Sequence, residues 1–329
     1  MPRKIAVLGS NSFSGSDFID LLLEDKNNEV IGISRSPEKD AVFLPYKRHK
    51  KSAYRFYQLD FNKDIAKMSK LFDQFQPEYI VNFAALNEVA MSWIYPWDYF
   101  ETNIVSLSRL GQTLKNKKYL KKYLHISSPE VYGSCNGDKE KQEFNPSTPY
   151  AASKAAADLF LSTMVNQYGF PVVTIRSTNV YGPGQQLYRI IPKSIILIKK
   201  GIKIPLDGGG LAKKSYIHIR DISKGELLAM EKGKTGEIYH FSPENPIAVR
   251  DVVQLICDLM DADYEKMIQV AAERPGQDKI YAIDSSKARK ELDWTPAIGL
   301  KKGIKEVIDW VNQNWAALKD ESLEYVHKL

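Results

Sequence analysis

Cysteine is almost absent, with Cys135 and Cys257 the two thiols in 329 residues. Two thiols without metal-ligand spacing make neither a disulfide framework nor a zinc site, so both read as packing residues and no metal is expected. No apolar run approaches the roughly 20 residues that a membrane helix requires. The first apolar stretch, IAVLG, lacks the long hydrophobic region and cleavage site of a signal peptide. These absences point to a cytoplasmic chain with no membrane partner. Also missing is any recognisable groove-docking or base-stacking module, so nucleic acid is not an expected partner. The net charge of +6 and the basic runs YKRHKK (46–51) and KNKKYLKKY (115–123) then read as solvated surface. A mild positive balance suits small anionic ligands.

What is present is a chain long enough for a large core, with an ordinary 43% hydrophobic content. Short apolar bursts recur: KIAVLG, EVIGIS, YRFYQLD, YIVNFAA, KYLHISS and PVVTIRS. Amphipathic stretches such as SGSDFIDLLLED separate them. Strands alternating with helices predict an α/β fold, a parallel sheet covered on both faces, and bursts that are apolar throughout fit strands buried on both sides. After about residue 178 Gly and Pro punctuation thickens (YGPGQQ, PLDGGG, FSPENP), which predicts a second, smaller lobe. Residues 299–318 read as an amphipathic helix, followed by a polar tail.

The stretch GSNSFSGS (9–16) leaves a strand at Gly9 and enters a helix near Gly15. A dinucleotide-binding turn needs a tight bend, close approach to a pyrophosphate and close helix–strand packing. Gly9 serves the first need and Gly15 the last, while Ser12 replaces the middle small residue and offers a hydroxyl. The helix N-terminus, opened by Phe13, supplies further donors. Alone, the stretch equally suits a plain strand–helix loop.

LHISSPEVYGS (124–134) and PSTPYAASKAAADLFL (146–161) weigh more. Tyr150 and Lys154, four apart, share one face of a helix. A lysine ammonium favours phenolate and is expected to draw the phenol down from about 10 toward neutrality, making a general base for a sugar hydroxyl. Ser128, at a predicted strand end, is placed to polarise the same oxygen.

Together with NFAALNEV (82–89), ETNIVSLSRL (101–110), RSTNVYGPGQ (176–185), SYIHIRDIS (215–223) and ERPGQDKIYAIDSSKARKELDWTP (273–296), these stretches resemble the extended short-chain dehydrogenase/reductases. The resemblance is closest to the dTDP-glucose and GDP-mannose 4,6-dehydratases and runs essentially end to end. It implies a Rossmann-type doubly wound parallel sheet over residues 1–178. Residues 179–329 then form mainly a substrate lobe for a nucleotide-diphosphate sugar, with some segments returning to the sheet. It also implies a homodimer packed through segments near 99–116 and 150–168.

By the same resemblance Gly9, Ser12, Phe13 and Gly15 bind the cofactor, Asp60 and Phe61 flank its adenine, and Ala84, Ala85 and Asn103 line the ribose and nicotinamide region, with Tyr150 and Lys154 beside them. In GISRSPEK (32–39) no carboxylate stands at the strand end where relatives mark NAD. Arg35 and Ser36 suit a 2′-phosphate, so NADP is expected, with NAD the alternative.

The expected reaction is C4 oxidation, elimination of water across C5–C6 and return of the hydride. Ser128, Tyr150 and Lys154 serve the oxidation, and Glu130 removes the C5 proton. Pro129 stands where dTDP-glucose dehydratases carry the acid for the leaving 6-hydroxyl; Tyr150, Glu130 or a water remain open for that role. A 4-epimerase, a UDP-glucuronate decarboxylase and a non-catalytic sensor or RNA-associated relative are the alternatives. Asn179 and Arg274 are expected at the substrate diphosphate, and Lys214 stands where relatives place an arginine.

Overall fold

The computed structural model describes residues 2–49, 54–272 and 280–327. Seven strands form the central sheet: β1 (Arg3–Leu8), β2 (Asn28–Ser34), β3 (Tyr54–Gln58), β4 (Tyr79–Asn82), β5 (Lys122–Ile126), β6 (Val172–Ser177) and β7 (Ile238–Phe241). Their order is β7-β6-β5-β4-β1-β2-β3, and every neighbouring pair is parallel. The six expected bursts are six of these strands. Ile5, Val7, Val81, Leu124 and Val173 point into one apolar layer, and Ala6, Leu8, Ile80, Tyr123 and Val172 into the other. Both faces are covered, as near-continuous apolar strands require. The seventh strand, IYHF, arrives from beyond residue 178 and pairs with β6, Ile238 opposite Thr174.

The strand order reverses between β1 and β4, and ligands of open parallel sheets bind outside the carboxyl ends of the strands at such a point. Gly9, Ser34, Asn82 and Ser127 all lie there.

A second core forms where helices Ile190–Lys200, Val249–Leu259 and Leu300–Gln313 bring together Ile195, Ile256, Ile304 and Val307. The helix expected over 299–318 is interrupted at Asn314, whose side chain donates to Trp310 O at 2.8 Å. That local bond competes with the helical ladder, and a four-residue helix, Trp315–Leu318, follows. Cys135 and Cys257 are buried and form no disulfide.

The described residues of the basic runs are largely solvated, as expected, Arg48 being 59% and Lys121 61% exposed on the side chain, and several are also paired. Arg48 grips the buried Asp20 with two bonds of 2.7 and 2.8 Å, and His49 Nε2 reaches the same carboxylate at 2.9 Å. Lys117 pairs with Asp73 and Lys121 with Glu78.

Helix Ile219–Lys232 packs on helix Phe13–Leu22 through Arg220, which reaches Asp17 and Asp20, and through Ser223, which donates to Asp17 at 2.7 Å. Asp221 Oδ2 accepts from the Ala297 and Ile298 amides, and Trp294 donates to its carbonyl. Thus the DWTP stretch is anchored to this helix.

One turn on, Glu226 is 1% exposed with Oε2 unpartnered. Burial first, then the nearby Asp17, pushes its carboxyl well above the ordinary 4.5. A raised folded value contributes stability that is full below about pH 4.5 and is lost as pH rises through the raised value. Glu226→Gln is therefore expected to stabilise by about 1–3 kcal/mol at pH 8 and much less at pH 5. Urea midpoints at the two pH values check this; equal gains at both would show that the charge is not the cause.

Candidate active site

Gly9 follows β1 with φ +78°, a left-handed conformation that a side chain disfavours. A Cβ there would stand 2.8 Å from Ala84 N, and one at Gly15 would stand 2.4 Å from Gly9 O. Both glycines are thus fixed by close approach. Ser12 needs no such freedom. It has extended backbone and is the N-cap of helix Phe13–Leu22, its Oγ accepting from Gly15 N at 3.0 Å. An N-cap serine is a favourable residue here, and its hydroxyl hydrogen stays available to a ligand.

A cleft of about 840 Å³ opens over this turn, in the size range of cofactor sites. It is lined by Gly9, Ser12, Phe13, Arg35, Ser36, Asp60, Phe61, Ala84 and Ala85 among others, so nine expected cofactor residues meet around one space. Asn11 braces the β2 end, its amide donating to Ser34 Oγ (3.0 Å) and its side chain to the Ser36 and Pro37 carbonyls. Glu38 is spent on Tyr46 at 2.8 Å. A glycine cradle and a helix N-terminus together fit a nicotinamide dinucleotide.

Gly15 and Asn103 stand behind this wall. Asn103 is buried and exchanges bonds of 3.0 Å with the Leu86 amide and carbonyl, while donating to Ser153 at 2.9 Å. It ties the loop after β4 to helix Pro149–Tyr168. Leu86 in turn lines the cleft and packs with Tyr99 on Tyr150.

The catalytic candidates gather beyond Leu86, and none of Ser128, Glu130, Tyr150 and Lys154 lines the cleft itself. Thr148 caps the helix by accepting from Ala151 N, and Pro149 occupies its first turn. Tyr150 and Lys154 follow on one face, both buried. Ser128 caps the short 3-10 turn Pro129–Tyr132, accepting from Glu130 N at 3.2 Å. Pro129 supplies the fixed φ of the first position of that turn.

The phenol of Tyr150 does not show the fall expected from Lys154. Burial, and then the Glu130 carboxylate, push it upward, against the hydrogen bond from Ser128 and the charge of Arg189. Lys154 Nζ instead donates to Ile126 O at 2.7 Å. Its own pKa is drawn to about 8 by burial, with Asp158 opposing and Arg176 assisting.

Sequence reasoning missed the support beneath. Asp158, four residues past Lys154, accepts from Ser127 Oγ and Arg176 Nη2, each at 2.7 Å, and lies 3.2 Å from His125 Nε2. Burial alone would raise its carboxyl, but Arg176, His125 and Lys154 outweigh that and hold it ionised well below the usual range. Arg189, the N-cap residue of helix Ile190–Lys200, was also missed. It lies 3.4 Å from Glu88 and close enough to lower the Tyr150 phenol. Its signal was a cation just past the YGPGQ turn.

Asn179 heads the strand Asn179–Tyr181, where its side chain donates to Ser215 O at 3.4 Å, next to Lys214. Neither Asn179 nor Lys214 lines the 840 Å³ cleft. Arg274 lies outside the described residues.

Residues 7–307 match the model of the family described as GDP-mannose 4,6 dehydratase. The dTDP-glucose 4,6-dehydratase of Shigella flexneri is 30% identical, the match covering 95% of this chain and 94% of the relative. The structure of dTDP-glucose 4,6-dehydratase from Streptomyces venezuelae, solved with NAD bound, superimposes with a TM-score of 0.88 at 27% identity, over 95% of this chain and 98% of that one. A UDP-glucose 4-epimerase from Thermotoga maritima superimposes nearly as well, TM-score 0.86 at 25% identity over 95% and 99%. Backbone shape alone therefore does not choose the reaction; the family match and the carboxylate beside Tyr150 narrow it. On that sequence match the chain belongs to the GDP-mannose 4,6-dehydratase family of nucleotide-sugar enzymes, within the extended short-chain dehydrogenase/reductases.

Proposed function

We propose that the protein is a nucleotide-sugar 4,6-dehydratase in which Ser128, Tyr150 and Lys154 serve oxidation at sugar C4 and Glu130 removes the C5 proton. The observation that carries this reading is the gathering of Ser128, Glu130 and Tyr150: Ser128 Oγ accepts from Glu130 N at 3.2 Å and hydrogen-bonds the Tyr150 phenol, which feels the Glu130 carboxylate. A phenol and a carboxylate then stand at one place, the two acid–base groups that C4 oxidation followed by C5 deprotonation requires. A bound dinucleotide, held by cleft residues such as Gly9, Ser12 and Arg35, would supply a hydride acceptor for C4 and a hydride donor for C6. Ser128 polarises the C4 oxygen and Tyr150 takes its proton. The C4 ketone acidifies the C5 hydrogen for Glu130; the C6 hydroxyl leaves as water on taking a proton from Tyr150, Glu130 or a water, and C5 is reprotonated as the hydride comes back to C6.

Residues 1–178 hold the dinucleotide and 179–329 mainly the sugar nucleotide, with Asn179, Lys214 and Arg274 toward its diphosphate. NADP is favoured over NAD by Arg35 and Ser36 at a strand end without a carboxylate, although the S. venezuelae relative was solved with NAD. Arg35→Ala is expected to weaken NADPH binding about tenfold and to spare NADH; equal losses in titrations of both would reverse the assignment.

From the family resemblance we also propose a homodimer packed through the segments near 99–116 and 150–168, whose helices Ser106–Leu114 and Pro149–Tyr168 pack on each other within the chain. Trp97 (63% exposed), Phe100 and Leu159 lie exposed on or beside them. Among the described residues no helix is long and apolar enough to cross a membrane, and we place the enzyme in the cytoplasm. The test is product mass after incubation with UDP-, GDP-, dTDP- and CDP-hexoses and NADP or NAD. Loss of one water supports the dehydratase and names the base; an isomer of unchanged mass overturns it in favour of a 4-epimerase.

A further inference from the structure

The residues after Leu318, expected to form a polar tail, fold back over the cleft. Glu321, Ser322, Glu324, Tyr325 and Val326 line the same space as Gly9, Arg35, Asp60 and Ala84. Four side chains fix this path. Leu323 packs on the core beneath helix Ile190–Lys200, and Glu324 pairs with Lys193 Nζ at 2.9 Å. Tyr325 meets Tyr188 edge-on at 5.3 Å. His327 lies flat on Tyr95, 4.7 Å between centroids and 3° between planes, with Nε2 3.1 Å from Asp98 Oδ2. The His327 ring also parallels Tyr99 at 6.3 Å, and Tyr99 packs edge-on against Tyr150 at the same separation. Tyr325 lies within electrostatic reach of Arg35, which lines the cleft with it, and of Glu88 and Arg189. The segment thus runs along the cleft and, through His327, reaches Tyr99, the ring that packs on Tyr150.

We propose that residues 321–327 are a strap that closes the cleft over the bound dinucleotide and sugar nucleotide, with His327 seated on Tyr95 and Asp98 as its latch. The inference rests on the dinucleotide reading given above. The holding contacts are few: Glu324 is 80% exposed on its side chain, and only the latch, His327 at 8% against Asp98 at 17%, is well covered. A segment with no helix or strand of its own, held by so few side chains, detaches and recloses without disturbing the sheet. Closed, it buries the ligand faces that the sheet leaves open and backs Tyr99 against Tyr150. The strap therefore governs how long ligands stay rather than the chemistry itself.

Stopped-flow fluorescence of NADPH and NADH dissociation tests this on three proteins: the full chain, a chain ending at Asp320, and full-length His327→Ala. The strap predicts that the truncation speeds dissociation about tenfold or more and that His327→Ala gives a smaller rise in the same direction. Should the shortened chain fail to fold, as circular dichroism would show, His327→Ala alone decides. Unchanged dissociation from His327→Ala and from a folded truncation overturns the strap and leaves the dinucleotide reading standing. A full chain that binds neither NADPH nor NADH overturns both.

Discussion

Tyr150→Phe is expected to lower kcat about 10²–10⁴-fold while the dinucleotide still binds. The ring that packs with Leu86 and Tyr99 is retained, so the loss isolates the hydroxyl. Turnover requires that hydroxyl to give up its proton, yet burial and Glu130 push its pKa upward. The opposing influences are the Ser128 hydrogen bond and Arg189. Lys154, proposed above to serve the oxidation, loses its charge as pH rises through about 8, so kcat/KM is expected to fall there. Rapid-mix kinetics across pH 6–10 with equilibrium titration of NADPH check both parts. Undiminished kcat in Tyr150→Phe refutes the assigned base.

The second large effect is at Glu130. Glu130→Gln keeps the backbone amide that Ser128 accepts at 3.2 Å and nearly the same volume, but removes the carboxylate. Dehydration is expected to fall about 10²–10⁴-fold, and exchange of the sugar C5 hydrogen with deuterium from solvent should disappear with it. A further consequence separates catalytic from structural loss. Since Glu130 raises the Tyr150 phenol, its removal lets the phenol titrate lower, and the acid limb of any residual C4 oxidation moves to lower pH. A variant that still exchanges C5 hydrogen at the parent rate contradicts the role given to Glu130.

Features set by local spacing were readable in the chain. Five of the six strands are largely apolar because helices cover both faces, whereas the edge strand β3, YRFYQ, buries no residue fully, and the Tyr150–Lys154 pair depends only on the four-residue helical repeat. The turn at Gly9 was readable for the same reason, although Ser12 proved to be a helix cap, which a glycine-counting rule does not anticipate. Distant partners were not readable. β7 is four residues long and joins a strand more than sixty residues earlier. Asp158 was visible four residues after Lys154, but its significance comes from Arg176 and His125 on separate strands. His327 meets Asp98 across 229 positions, in a polar tail with no periodicity to reveal a docked path. The phenol expectation failed physically: charge proximity was weighed, but burial and the Ile126 carbonyl that claims Lys154 emerge only after folding.

The central claim is one active site that oxidises C4, eliminates water across C5–C6 and reduces C6. Its most direct test is a nucleotide-hexose carrying deuterium at C4, chosen as the hexose that turns over and followed by mass spectrometry and NMR of the product. The account predicts loss of one water, with the deuterium transferred to C6. Deuterium retained at C4 of an isomer with unchanged mass would contradict it.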